Sequence, residues 1–100
     1  MTVRHIVSWK MNGETPEDRA RQATEIAEAL RPLPQTVPGI LSLEVHLNAY
    51  NVDANWDLVL VSDHEDQAAL DVYATHPDHL AVVALVKERA AGRAGVDFEV

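Results

Sequence analysis

Apolar and polar residues alternate from the start of the chain. Val3, His5, Val7, Trp9 and Met11 share one side of a period-two segment, and Arg4, Ile6, Ser8 and Lys10 share the other, which predicts a strand. Asn12-Gly13 ends it. Thr15-Pro16-Glu17-Asp18 then supplies an N-cap, a proline at the first helical position and acids in the first turn. Ala20, Ala23, Ile26, Ala27 and Leu30 recur at helical spacing, so residues 16–31 read as an amphipathic helix closed by Pro32 and Pro34.

After Pro38-Gly39, Leu41, Leu43, Val45 and Leu47 alternate with Ser42, Glu44, His46 and Asn48 as a second strand. Residues 51–55 form a polar connection, and residues 56–62 a third strand in which Leu58 to Val61 is apolar on both sides. Two helical stretches follow, near 66–74 and 77–91, separated because Pro77 disfavours a helical conformation at His76. Gly92 and Gly95 are expected to stop the second. Val96, Phe98 and Val100, alternating with Asp97 and Glu99, complete a last strand.

The resulting order, β-α-β-β-α-α-β, predicts one α+β domain over residues 1–100 with a ferredoxin-like, split βαβ arrangement: a four-stranded antiparallel sheet with helices on one face. The other face is left bare. Because Leu58 and Leu60 oppose Val59 and Val61, that bare face still presents large apolar groups, and an exposed apolar sheet face is normally an interface. A homodimer joined through the sheet faces is the expectation.

Composition narrows the function classes. Sixteen acidic against eight basic side chains give a net charge of −8, which repels phosphate backbones and argues against a nucleic-acid partner. The chain has no cysteine, no basic-then-apolar leader and no apolar run near the roughly 20 residues a membrane span needs, so no membrane partner and a cytoplasmic location are expected. The cluster Asp63-His64-Glu65-Asp66 reads as a solvated turn at a helix N-terminus, where carboxylates suit the dipole. No phosphate loop, nucleophile elbow or familiar metal-ligand spacing occurs, either at His76, Asp78 and His79 or at His64, Glu65 and Asp66. Neither a metal nor a cofactor is expected.

One stretch carries candidate chemistry: Tyr73-Ala-Thr-His76-Pro77-Asp78-His79. His79 lies in the first turn of the last helix, where the positive end of the dipole disfavours imidazolium and leaves a neutral base. A phenol at Tyr73 would donate a hydrogen bond to an oxygen that gains charge while His79 takes a proton from carbon. The plainer reading has His76 and His79 capping the corner and Tyr73 filling the core; both stay open. His5 is equally a core histidine or part of a pocket floor. Leu80 to Val86 is apolar around most of its helix, so its surplus side is either covered by neighbours or lines an apolar cavity. A cavity between sheet and helices is expected to place His5, Val7, Trp9, Asp57, Val59, His76 and Val83 around an apolar small-molecule ligand.

The opening Val-Arg-His-Ile-Val-Ser-Trp-Lys, the Pro38-Gly39-Ile40 turn, the strand from Trp56 to Ser62, the Tyr73…His76-Pro77-Asp78-His79 junction and the closing Val-Asp-Phe-Glu-Val together resemble the stress-responsive A/B barrel (Dabb) family. The likeness spans nearly the whole chain. It implies a dimeric α+β barrel in which two four-stranded sheets face each other with the helices outside. It does not imply one activity: many members have no assigned reaction, whereas a plant polyketide cyclase of this fold, which makes olivetolic acid, uses a tyrosine and a histidine. Those roles map onto Tyr73 and His79 as catalytic residues, and a further pocket histidine matches His5. The chain departs at Asp57, where the cyclase has another histidine. A cofactor-free cyclase or isomerase, a non-catalytic stress-associated or ligand-binding dimer and, by fold analogy, a cofactor-free monooxygenase are the classes that remain.

Overall fold

Each α-helix is N-capped by a side chain: Thr15, as the sequence nominates, then Asp66 and His76. Thr15 Oγ1 accepts the Asp18 N–H at 3.1 Å, Asp66 Oδ1 the Ala69 N–H at 2.8 Å, and His76 Nδ1 the Asp78 N–H at 3.1 Å. In the computed structural model, which describes residues 1–100, the elements are β1 (Val3–Met11), α1 (Pro16–Leu30), a 3-10 turn (Leu33–Gln35), β2 (Ile40–Leu47), β3 (Leu58–His64), α2 (Gln67–Thr75), α3 (Pro77–Arg89) and β4 (Ala90–Glu99). The sheet order is β2-β3-β1-β4 with every neighbouring pair antiparallel. This is the α+β ferredoxin-like architecture expected from the sequence.

Three boundaries differ from expectation. The last strand begins at Ala90, directly after α3, and both glycines lie inside it. The free edge of β1 recruits this segment as far back as the pairing of Met11 with Ala90, and a strand glycine marks a close approach rather than a stop. A Cβ at Gly92 would sit 3.2 Å from the Trp56 ring, and one at Gly95 would sit 3.1 Å from the Arg93 guanidinium. At its other end β3 starts at Leu58, leaving Trp56 and Asp57 before it, and runs on through His64. The acidic cluster is therefore split. Asp63 is a strand residue ion-paired with Arg4 at 2.8 Å, His64 is buried, and Glu65 and Asp66 alone form the turn into α2.

The sheet sorts its side chains cleanly. Val7, Trp9, Met11, Val45, Leu58 and Leu60 face the helices and form the core with Ala23, Ile26, Ala27 and Leu30 of α1. Ile6, Val59, Val61, Val96 and Phe98 alternate onto the opposite face, where Val96 is 61% and Phe98 41% exposed. Val59, expected near a ligand, is thus on the side away from the helices.

β4 inverts the usual pattern. Its residues opposite Val3, His5, Val7 and Trp9 are Glu99, Asp97, Gly95 and Arg93, so beyond Ala90, which faces Met11 and packs on the core, its helix-facing side offers no apolar side chain. α3 accordingly packs on α1 and α2 rather than on the strands, and a space stays open between α3 and the β1–β4 half of the sheet. No helix is long and apolar enough to cross a membrane.

Ser62 and His64, both 0% exposed, are polar members of the helix-facing layer, and Ser62 Oγ lies 2.9 Å from His64 Nε2. Burial, and then the nearby His5, push the His64 pKa below the ordinary histidine value. Between its folded pKa and about 6.5 the unfolded chain therefore binds the extra proton, so this contribution is intact above about pH 6.5 and is lost as pH falls. Calorimetric unfolding midpoints should drop as pH falls below about 6.5, with a shallower drop for His64→Met. Identical slopes for wild type and variant would contradict the assignment.

Candidate functional site

The space beneath α3 is a cavity of about 620 Å³, within the range of small-molecule sites. β1 contributes His5, Val7 and Trp9 to its floor, β3 contributes Leu60, and Val82, Val83 and Val86 of α3 form the apolar roof. The surplus apolar side of α3 therefore lines a cavity. α2 brings Tyr73 to one wall, and β4 supplies Arg93 and Asp97 along the other.

Tyr73 and His79 are brought together by the α2–α3 corner. His76, in extended conformation (φ −63°, ψ 136°), ends one helix and caps the next, so the two side chains turn toward each other with ring centroids 4.2 Å apart. His79 Nδ1 lies 3.2 Å from the Ala74 carbonyl oxygen. A carbonyl only accepts, so Nδ1 carries the proton and Nε2 keeps its lone pair. Burial is the main cause pushing the His79 pKa below the ordinary value, only partly opposed by the bond to Ala74. Tyr73 is 1% exposed and its hydroxyl has no hydrogen-bond partner. Burial pushes that phenol up to about 12, so it is a proton-bearing donor at neutral pH.

Two more imidazoles complete the cluster. His64 stands behind Tyr73 at 5.0 Å between ring centroids, with Nδ1 unpartnered, and His5 stands 6.0 Å from Tyr73. The register that places His5 opposite Asp97 joins His5 Nδ1 to Asp97 Oδ1. Asp97 thereby orients the ring, in the way a carboxylate fixes a histidine tautomer.

Of the residues expected around a ligand, His5, Val7, Trp9, Tyr73, His79 and Val83 line this cavity, and three do not. Asp57 lies beyond the end of β1. Its Oδ2 accepts the Met11 N–H at 2.7 Å, its own N–H donates to the Trp9 carbonyl at 2.9 Å, and Arg19 Nε is 3.9 Å from Oδ1. It anchors the bulge between Lys10 and Met11. Val59 points to the other face of the sheet, by strand parity. His76 spends its Nδ1 on the α3 cap. Conversely, the sequence reading passed over His64, Arg93 and Asp97. Strand parity carried the signal for each: His64 continues Leu58, Leu60 and Ser62, and Asp97 and Arg93 share a side of β4.

No curated protein matches the chain in sequence. Solved structures do. A Bacteroides fragilis protein described as dimeric, of unknown function and ferredoxin-like in fold is 32% identical, with a TM-score of 0.89 over 99% of this chain and 96% of its own. A dimeric ferredoxin-like protein of unknown function from Thermobifida fusca is 28% identical, with a TM-score of 0.84 over 100% of this chain and 92% of its own. The hydroxynitrile lyase of Passiflora edulis shares the fold at 13% identity and a TM-score of 0.80, over 99% and 93% of the two chains. The stress-responsive A/B barrel domain model matches residues 3–100, in agreement with the sheet order and helix placement described above. The chain belongs to the stress-responsive A/B barrel (Dabb) family.

Proposed function

We propose that the protein is a homodimer whose cavity binds a small apolar molecule bearing a carbonyl group and catalyses a cofactor-free cyclisation or isomerisation. The observation that carries this reading is the unpartnered, proton-bearing hydroxyl of Tyr73 beside an imidazole whose Nε2 is free to accept. With a carbonyl oxygen on the Tyr73 O–H, the proton on the adjacent carbon passes to His79 Nε2, and the C–H electron pair moves into the enolate whose oxygen the phenol holds. Closure onto a second carbonyl, or return of the proton to another carbon, gives a cyclase or an isomerase. If no substrate turns over, the same cavity serves a non-catalytic, ligand-binding dimer.

Dimerisation through the sheet faces is supported by the apolar set Ile6, Val59, Val61, Val96 and Phe98 on the face opposite the helices and by the dimers described for the Bacteroides fragilis and Thermobifida fusca proteins. Light scattering after size exclusion should give about twice the chain mass of 11.0 kDa. Val61→Asp would bury an unpaired charge in the joint, which typically costs about 3–5 kcal/mol, and should yield monomer. A folded wild-type monomer at micromolar concentration would refute the dimer.

Catalysis is tested on a panel of linear polyketide thioesters and enol acids, followed by mass spectrometry. Tyr73→Phe keeps the ring and removes the donor, with an expected loss on the order of 10²-fold or more in turnover. His79→Ala should lose roughly 10²–10⁴-fold. Equal background conversion by wild type and both variants would move the assignment to the non-catalytic dimer.

The pH profile follows from the same groups. Only neutral His79 accepts a proton, and burial holds its pKa below the ordinary value. The rate should therefore be full above about pH 6.5 and fall as pH drops through the lower folded value. Tyr73, at about 12, adds no alkaline limb near neutrality. An acid limb clearly above pH 7 would exclude His79 as the base.

A further inference from the structure

The cavity holds a cation with no partner inside the chain. Arg4, Arg19, Arg21 and Arg89 each face a carboxylate, and Arg31 donates to the Val45 carbonyl at 3.0 Å. With sixteen acids against eight bases, an arginine with neither a carboxylate nor a carbonyl partner is the exception, and here it is Arg93. Asp97, on the same side of β4, is taken by His5.

The guanidinium is also aimed. Arg93 and Gly95 both lie on the helix-facing side of β4, opposite Trp9 and Val7. A Cβ at Gly95 would stand 3.1 Å from Arg93 Nη1 and 3.4 Å from Nη2, so the side chain runs along the strand and lays its planar head over the missing side chain of Gly95. The head thus lies one same-side register step short of the His5–Asp97 pair, and Arg93 lines the cavity. Its charge is felt at both Tyr73, where it partly opposes the rise caused by burial, and His79, where it adds to the lowering. Lys87 of α3, also without an acidic partner, lines the same space. Valine, leucine, alanine and tryptophan make up most of the remaining walls; Asp71 on α2 is the other carboxylate there.

We propose that Arg93 is the anion anchor of the cavity, so that its ligands are small apolar molecules carrying a carboxylate. A planar guanidinium matches a carboxylate through two parallel N–H···O bonds, and the apolar body then lies beneath Val82, Val83 and Val86. This rests on the proposed function and specifies its substrate class: an apolar acid that also bears the carbonyl presented to Tyr73.

The test uses 4-propylbenzoate and its methyl ester as probes, titrated calorimetrically into the protein. Hydrogen bonds to a charged group predict that Arg93→Gln weakens the acid by about tenfold to a hundredfold and leaves the ester unchanged, while Arg93→Lys, a point charge, recovers part of the loss. Val83→Trp, which fills the cavity, should weaken both probes. If wild type binds both probes and Arg93→Gln holds the acid as tightly, or weakens acid and ester alike, the anchor is wrong and the cavity reading stands. Failure of both probes to bind wild type at millimolar concentration overturns the cavity reading, and the anchor with it; binding of the ester alone overturns the anchor.

Discussion

The pairing register between β1 and β4 is the constraint on which the site depends. It sets His5 against Asp97, Val7 against Gly95 and Trp9 against Arg93, and so delivers charged groups and a gap where a packed sheet would present apolar side chains to α3. A slip of one residue would turn Val96 and Ala94 inward and send Asp97 to the opposite face. The cavity would then close by ordinary packing. β4 thus gives its apolar residues to one side of the sheet and its chemistry to the other, which ties the bare apolar face and the hollow beneath α3 to one strand.

Protonation in this cluster is governed by burial rather than by the chain's net charge. A protein at −8 would be expected to raise its histidines, yet His64 and His79 are both lowered, with desolvation the first cause in each. Exposed carboxylates act through water, where charges more than about 8 Å apart are largely screened. Loss of hydration acts on the ring itself. The imidazoles also oppose one another's protonation: His5 lowers both His64 and His79. Crowding them around Tyr73 therefore keeps His64 and His79 neutral.

Most of the fold was legible because periodicity is a local signal. Val3 through Met11, the α1 stripe from Ala23 to Leu30 and the opposed faces of Leu58 to Val61 needed only spacing, and the Tyr73–His79 corner needed only the proline. What was not legible depended on pairing. Ala90 to Gly95 reads as helix and turn until β1 offers an edge to join. His64 reads as part of an acidic turn until β3 is extended by its partners. Asp57, adjacent in sequence to a core strand, serves the Met11 and Trp9 backbone at the far end of β1, a contact that spacing alone does not reveal.

The break between α2 and α3 also chooses which nitrogen of His79 carries the proton. In an unbroken helix the Ala74 carbonyl would receive the N–H four residues on, from Asp78. Here that N–H goes to His76 Nδ1, and the Ala74 oxygen is released to take the Nδ1 proton of His79. A capping contact on one histidine thus settles the tautomer of another three residues away. Which ring nitrogen keeps its lone pair is written into how a helix stops, and a smoothly continued helix with the same Tyr73 and His79 would lose the acceptor that keeps it on Nε2.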